Sequence, residues 1–221
     1  MAFWKVFMKD LRLELRTKES LSTMVVFAAA VILLFSFVLD ANPARFRDFI
    51  PGFLWLTYFF VAVLGLLRSF GHEKDLEAYS LLLTSPIDRS AIYLGKTAAF
   101  VIFLLVAQLI SLPLFGLFLD VPLLTAPLAL GMIILVSDIA IAAVGNMIAG
   151  MSLRSPSGET LLPILLFPLL TPLLIAASKA TGIALSGGMI AEYDKWLMLL
   201  ATYAGVFLIA GTLIFDYISE Q

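Results

Sequence analysis

Charged residues in this sequence fall into clusters, and the intervals between the clusters have the length of a bilayer crossing. The hydrocarbon core is about 30 Å thick, and a helix rising about 1.5 Å per residue spans it in roughly 20 residues. Residues 20–39 run uncharged from Glu19 to Asp40, 49–67 from Asp48 to Arg68, and 97–119 from Lys96 to Asp120. Residues 160–178 lie between Glu159 and Lys179, and 196–215 between Lys195 and Asp216. A sixth interval, 126–150, holds one charge, Asp138. Inside lipid every backbone polar group needs an internal partner, which leaves helices or a closed barrel. Barrel strands are about ten residues of alternating polarity. These intervals are longer and continuously apolar, so helices are predicted.

The fold class that follows is an all-α integral membrane protein with six transmembrane helices, one domain over residues 1–221. Composition agrees: 62% of the residues are hydrophobic and 14% charged, against about 45–50% and about 25% in soluble domains. A net charge of −2 gives no general attraction to nucleic acid. The chain has no cysteine, which excludes disulfides, iron–sulfur clusters and thiolate metal sites. The first apolar interval is too long for the core of a cleaved leader and lacks a clear small-residue cleavage site, so it reads as a permanent span.

Lysine and arginine set the orientation. With six spans, ten of them fall on the side of the N-terminus and four (Arg45, Arg47, Lys179, Lys195) on the other, so both termini are expected in the cytoplasm. Trp4, Trp55, Trp196, Tyr93, Tyr193 and Tyr217 all fall near predicted span ends, where amphipathic rings settle at the lipid interface. Residues 3–16 read as a basic amphipathic helix. Trp4, Met8, Leu11 and Leu15 keep helical spacing, Phe3 and Phe7 widen the apolar face, and Lys5, Lys9, Arg12 and Arg16 run beside it. Such a helix lies in the interface with its cations toward anionic headgroups. It serves as a surface anchor and topology signal, or as a contact for a partner.

The longest connection on the basic side, residues 68–96, carries the most information. Residues 73–83 fit a short amphipathic helix: Leu76, Tyr79 and Leu83 share one face, while Glu73, Glu77, Ser80 and Thr84 lie largely on the other. Ser85 then suits a helix cap, Pro86 the first helical position, and Asp88 the positive end of the helix dipole. Two short helices would present a firm surface at the cytoplasmic face. One reading is a coupling helix that docks into a cytoplasmic ATPase; the other is an interfacial helix lying on lipid. Glu73, Asp75 and Glu77 favour the first, because an anionic leaflet repels them.

Three segments, FWKVFMKDLRLELR at the start, LLLTSPIDRSAIYLGK in this connection and LLPILLFPLLTPLLI in the fifth span, resemble the CcmB family in order and across nearly the whole chain. Where that family often has glycine, this chain has Glu77, Ala78 and Tyr79 before the leucine run, and Ser155, Pro156 and Ser157 before Gly158. The resemblance implies an ABC-2-like permease bundle in a bacterial inner membrane. It implies a complex with a separate CcmA-type ATPase, CcmC- and CcmD-type haem-handling membrane proteins and a CcmE-type haem chaperone. Its implied role is haem delivery, or release of haem-loaded chaperone, during cytochrome c assembly. The ATPase-coupling residues are then Glu73, Asp75, Leu76, Glu77, Tyr79, Leu83 and Pro86.

Inside the membrane, Asp138 sits near mid-span, where a charge costs roughly 2.5–3.5 kcal/mol on the insertion scale. It shares a stripe with Ala142, Gly145 and Ala149, small residues that admit a neighbouring helix, so it should face the bundle. Gln108, near the middle of the third span, is the expected hydrogen-bond partner, with Ser137 nearer but differently directed. The pair is either a packing contact or part of a substrate path or switch. Span five carries Pro163, Pro168 and Pro172, so it is expected to kink or break, as a moving gate or as a fixed shape. Residues 180–189, with Gly182, Gly187 and Gly188, are expected to form a loop cap or re-entrant segment.

No G-x-x-x-x-G-K-[S/T] phosphate loop occurs, so ATP is expected on a partner subunit and the chain is not expected to be an enzyme itself. The single histidine, His72, reads as ordinary surface. Axial haem ligation needs His, Met, Cys or Tyr. Met132, Met189 and Met198 are weak candidates, so haem is expected to be handled by the complex rather than held by this chain. The alternatives are an ABC-2 type permease for another lipid-like or drug substrate and a proton-coupled carrier using Asp138. An intramembrane enzyme lacks its nucleophile, base and metal set.

Overall fold

The computed structural model describes residues 2–40, 47–75, 88–152 and 158–218. Among them are seven α-helices: α1 (Ala2–Thr17), α2 (Glu19–Asp40), α3 (Ile50–Asp75), α4 (Arg89–Phe118), α5 (Pro127–Ser152), α6 (Gly158–Leu185) and α7 (Ile190–Ile218). Short 3-10 turns at Arg47–Phe49 and Leu123–Thr125 lead into α3 and α5. Helices α2 to α7 are the six long and apolar enough to cross a membrane. Alternation places α1, the ends of α3 and α5 and the starts of α4 and α6 at one membrane face, and the ends of α2, α4 and α6 and the starts of α3, α5 and α7 at the other.

Helix α5 is the centre of the bundle. It packs against α3, α4, α6 and α7, and 67% of its most apolar stretch is buried, against 17% in α2 and in α7. Small residues make this possible. The stripe of Asp138, Ala142, Gly145 and Ala149 is buried throughout, and a Cβ on Gly145 would stand 2.6 Å from Leu66 Cδ1 of α3. The outer helices α2 and α7 keep large apolar side chains such as Phe37, Met198 and Leu213 exposed, as lipid-facing surfaces do.

The expected short helix over residues 73–83 begins inside α3, which runs on to Asp75; residues 76–83 lie outside the described residues. Three other expectations are corrected. Asp88, not Ser85, stands at the start of α4, where its Oδ1 accepts the Ser90 hydroxyl at 3.0 Å. Residues 180–185 continue α6 instead of forming a cap, with the turn confined to the residues before Ile190. Pro163, Pro168 and Pro172 lie within an unbroken α6. The Tyr203 hydroxyl of α7 donates to the Leu169 carbonyl in this stretch and ties α7 to α6.

The aromatic belt is also only partly a belt. Trp55, Tyr93 and Tyr193 point into the protein and are buried. Trp55 Nε1 donates to Thr181 Oγ1 of α6 at 2.9 Å. The Tyr93 hydroxyl lies 3.0 Å from the Ala143 carbonyl and 3.2 Å from that of Phe207, joining α4 to α5 and α7. Trp4 alone of the tryptophans is well exposed.

Candidate functional site

Helix α1 is amphipathic as expected, but the face it gives to the protein is not the aromatic one. Val6, Asp10 and Glu14, four apart and therefore on one face, are its buried residues. They lie against α4 and the start of α2, while Lys5, Lys9, Arg12 and Arg16 remain exposed and Phe3, Trp4 and Leu15 project outward. The crossing with α4 is close: a Cβ on Gly95 would stand 3.0 Å from the Phe3 carbonyl oxygen and 3.0 Å from Val6 Cβ.

Both buried acids have work at that contact. Asp10 Oδ2 lies 3.6 Å from Lys96 Nζ of α4, and its Oδ1 lies 3.0 Å from Lys9 Nζ. Lys96 is buried, and its ammonium also stands 5.1 Å above the ring of Phe70 in α3, a cation–π contact. Glu14 Oε1 accepts the Leu21 backbone N–H at 2.7 Å. Leu21 is in the first turn of α2, whose N–H groups lack intrahelical partners, so Glu14 caps α2 from α1 and meets the positive end of its dipole. The chain reverses between them through Lys18, in left-handed backbone at φ 55°. Arg68 Nη1 of α3 meets Glu19 Oε1 at 3.0 Å on the outside of the same region. The cleft among Asp10, Glu14, Glu19 and Arg68 measures about 20 Å³, too little for an organic ligand. This is a joint between helices rather than a pocket. It fastens α1 to α2 and to the start of α4, while the end of α3 joins α2 through Arg68 and α4 through Phe70.

A second polar group lies in the bundle core. Gln108 Nε2 of α4 donates to Asp138 Oδ1 of α5 at 2.8 Å, and both side chains are buried. Among the described residues, Tyr58 Oη, Ser111 Oγ, Ser137 Oγ, Gln108 Oε1 and Asp138 Oδ2 are buried without a hydrogen bond.

The model of the family described as CcmB protein matches residues 1–216. The chain belongs to the CcmB family. It is similar to Heme exporter protein B of Pseudomonas aeruginosa, at 28% identity over 199 residues, covering 89% of this chain and 87% of the relative. It is similar also to Heme exporter protein B of Rhodobacter capsulatus, at 28% over 171 residues (77% and 78% of the two chains). The protein of the same name from Paracoccus denitrificans matches at 26% over 175 residues (79% and 80%). These CcmB relatives span the bundle rather than one helix pair.

Within this CcmB bundle the sequence-derived coupling residues divide. Glu73 and Asp75 fall in the last turn of α3; Leu76, Glu77, Tyr79, Leu83 and Pro86 lie outside the described residues. Met132, Met189 and Met198 are all exposed, on three different stretches of chain. Among the described residues no group of three or more His, Cys, Asp or Glu is placed to hold a metal. Sequence reasoning missed Asp10, Glu14 and Lys96. A signal existed: two acids at i, i+4 in line with Val6 interrupt an otherwise basic helix.

Proposed function

We propose that this chain is the membrane permease subunit of an ATP-driven complex that handles haem, or releases a haem-loaded chaperone, for cytochrome c biogenesis. The observation that carries this is the buried Asp10–Lys96 contact with its Glu14 cap. It makes one movable unit of α1, α2 and the two helices that enter and leave residues 76–87. The names of the relatives support haem as the cargo. A CcmA-type ATPase binds the connection at Glu73, Asp75, Leu76, Glu77, Tyr79, Leu83 and Pro86 and supplies the force; ATP stays on that partner. Pressure there shifts the ends of α3 and α4. Lys96 and Arg68 carry the shift to α1 and α2, and rigid-body tilting of the bundle follows. CcmC- and CcmD-type proteins and a CcmE-type chaperone receive the result. The chain lies in a bacterial inner membrane with both termini cytoplasmic, the orientation of its lysines and arginines. Haem is cargo of the complex, and this chain contributes no resident cofactor.

The test is a pull-down from membranes. Replacing Leu76, Tyr79 and Leu83 together with Ala should release the ATPase while the six-span chain remains inserted. Undiminished ATPase on the variant would contradict the assignment of the docking surface.

A further inference from the structure

At the face opposite α1, three segments far apart in sequence line one half-open cavity of about 570 Å³, with Asp48, Asp120 and Lys179 exposed at it. That volume is in the range of small-ligand sites. Asp48 enters from the turn before α3, Asp120 from the α4–α5 connection, and Ser178 and Lys179 from the end of α6. Ile50, Pro51, Val121 and Leu185 supply apolar walls. Among the described lining residues the polar groups are sorted by element: Lys179 and Ser178 stand on α6 with Ser186 just beyond its end, and the two carboxylates stand on the other two segments. Yet Lys179 pairs with neither acid. Among the described residues no ion pair within 4.0 Å involves Asp48, Asp120 or Lys179. Opposite charges that share a cavity without meeting leave room between them for a group carrying both signs. A dianion would meet two carboxylates, and a simple cation would meet Lys179. The cavity lies where helices end, at headgroup depth.

We propose that this cavity binds a phosphoethanolamine group, with phosphate toward Lys179 and Ser178 and ammonium toward Asp48 and Asp120. The membrane supplies it as a phospholipid headgroup whose glycerol end rests on the apolar walls. An ammonium with N–H donors satisfies the carboxylates, which a quaternary amine cannot do.

Native mass spectrometry of the full chain, purified in mild detergent and exchanged with defined lipids, tests this. Phosphatidylethanolamine should be retained over phosphatidylglycerol and phosphatidylcholine. Lys179→Gln and Asp120→Asn should each weaken that retention about tenfold, the effect of one charge-assisted contact. Asn suits the left-handed backbone at position 120, where φ is 50°. Lys179→Arg keeps the charge and should keep the lipid. Soluble glycerophosphoethanolamine should compete only at much higher concentration; equal potency would assign the same site to a soluble compound. Equal retention of the three lipids, indifference to both Lys179→Gln and Asp120→Asn, or equal loss in Lys179→Arg would overturn the proposal.

Discussion

Lys96 and Gln108 stand on the same helix, roughly three turns apart, and both are buried polar side chains bonded to an aspartate. Their surroundings differ. Gln108 and Asp138 are enclosed by the helices of the bundle core, with unpaired hydroxyls nearby. Lys96 and Asp10 join a peripheral helix to the bundle near the α3–α4 connection, with Phe70 of α3 as a third member. A polar pair in the core fixes how helices pack. A charge pair at a joint fixes which helices move together. On the proposed reading the joint carries the mechanical role and the Gln108–Asp138 pair serves packing, although the sequence made Asp138 the more conspicuous residue.

Four substitutions probe that contrast. The largest effect is expected for Lys96→Met. It leaves Asp10 without its partner across the joint, and breaking one side of a buried pair costs about 3–5 kcal/mol. Thermal unfolding in detergent reads this, and Asp10→Met combined with Lys96→Met should recover most of the loss. Glu14→Ala removes the cap of α2 and should cost about 1–2 kcal/mol, with faster hydrogen exchange confined to the first turn of α2. Asp138→Asn keeps an acceptor for Gln108, so unfolding should shift by less than about 1 kcal/mol and cytochrome c maturation in complemented cells should be normal. Lost maturation with normal assembly would move Asp138 from packing to function and break the comparison. Arg68→Ala, which opens the exposed pair with Glu19, should change stability by about 0–1 kcal/mol. A cost as large as that of Lys96→Met would show that the joint is not centred on Asp10.

What was legible in the sequence follows from what is local. The six crossings are written in the apolar intervals, and the small-residue stripe of α5 needs only a 3.6-residue period. Gln108 was found as the partner of Asp138 because amides at mid-span are few. The charged residues 68–75 and 89–96 extend α3 and α4 beyond the apolar intervals, because charge marks where a helix leaves the lipid and not where it ends. Trp55 and Tyr93 were put in the belt because position along the chain gives depth but not direction; both turn inward. The joint escaped because Asp10 and Lys96 meet only after α1 folds back across α4, a contact that no local period encodes.

The proposal that force enters between Glu73 and Pro86 and leaves through Asp10 and Lys96 is tested most directly by the Asp10→Met, Lys96→Met double variant in the assembled complex. Replacing both charges keeps the joint packed but lets α1 slide. The account predicts a complex that retains its ATPase and hydrolyses ATP yet matures little or no cytochrome c. Maturation at the wild-type rate, with both substitutions in place and the complex intact, would contradict it.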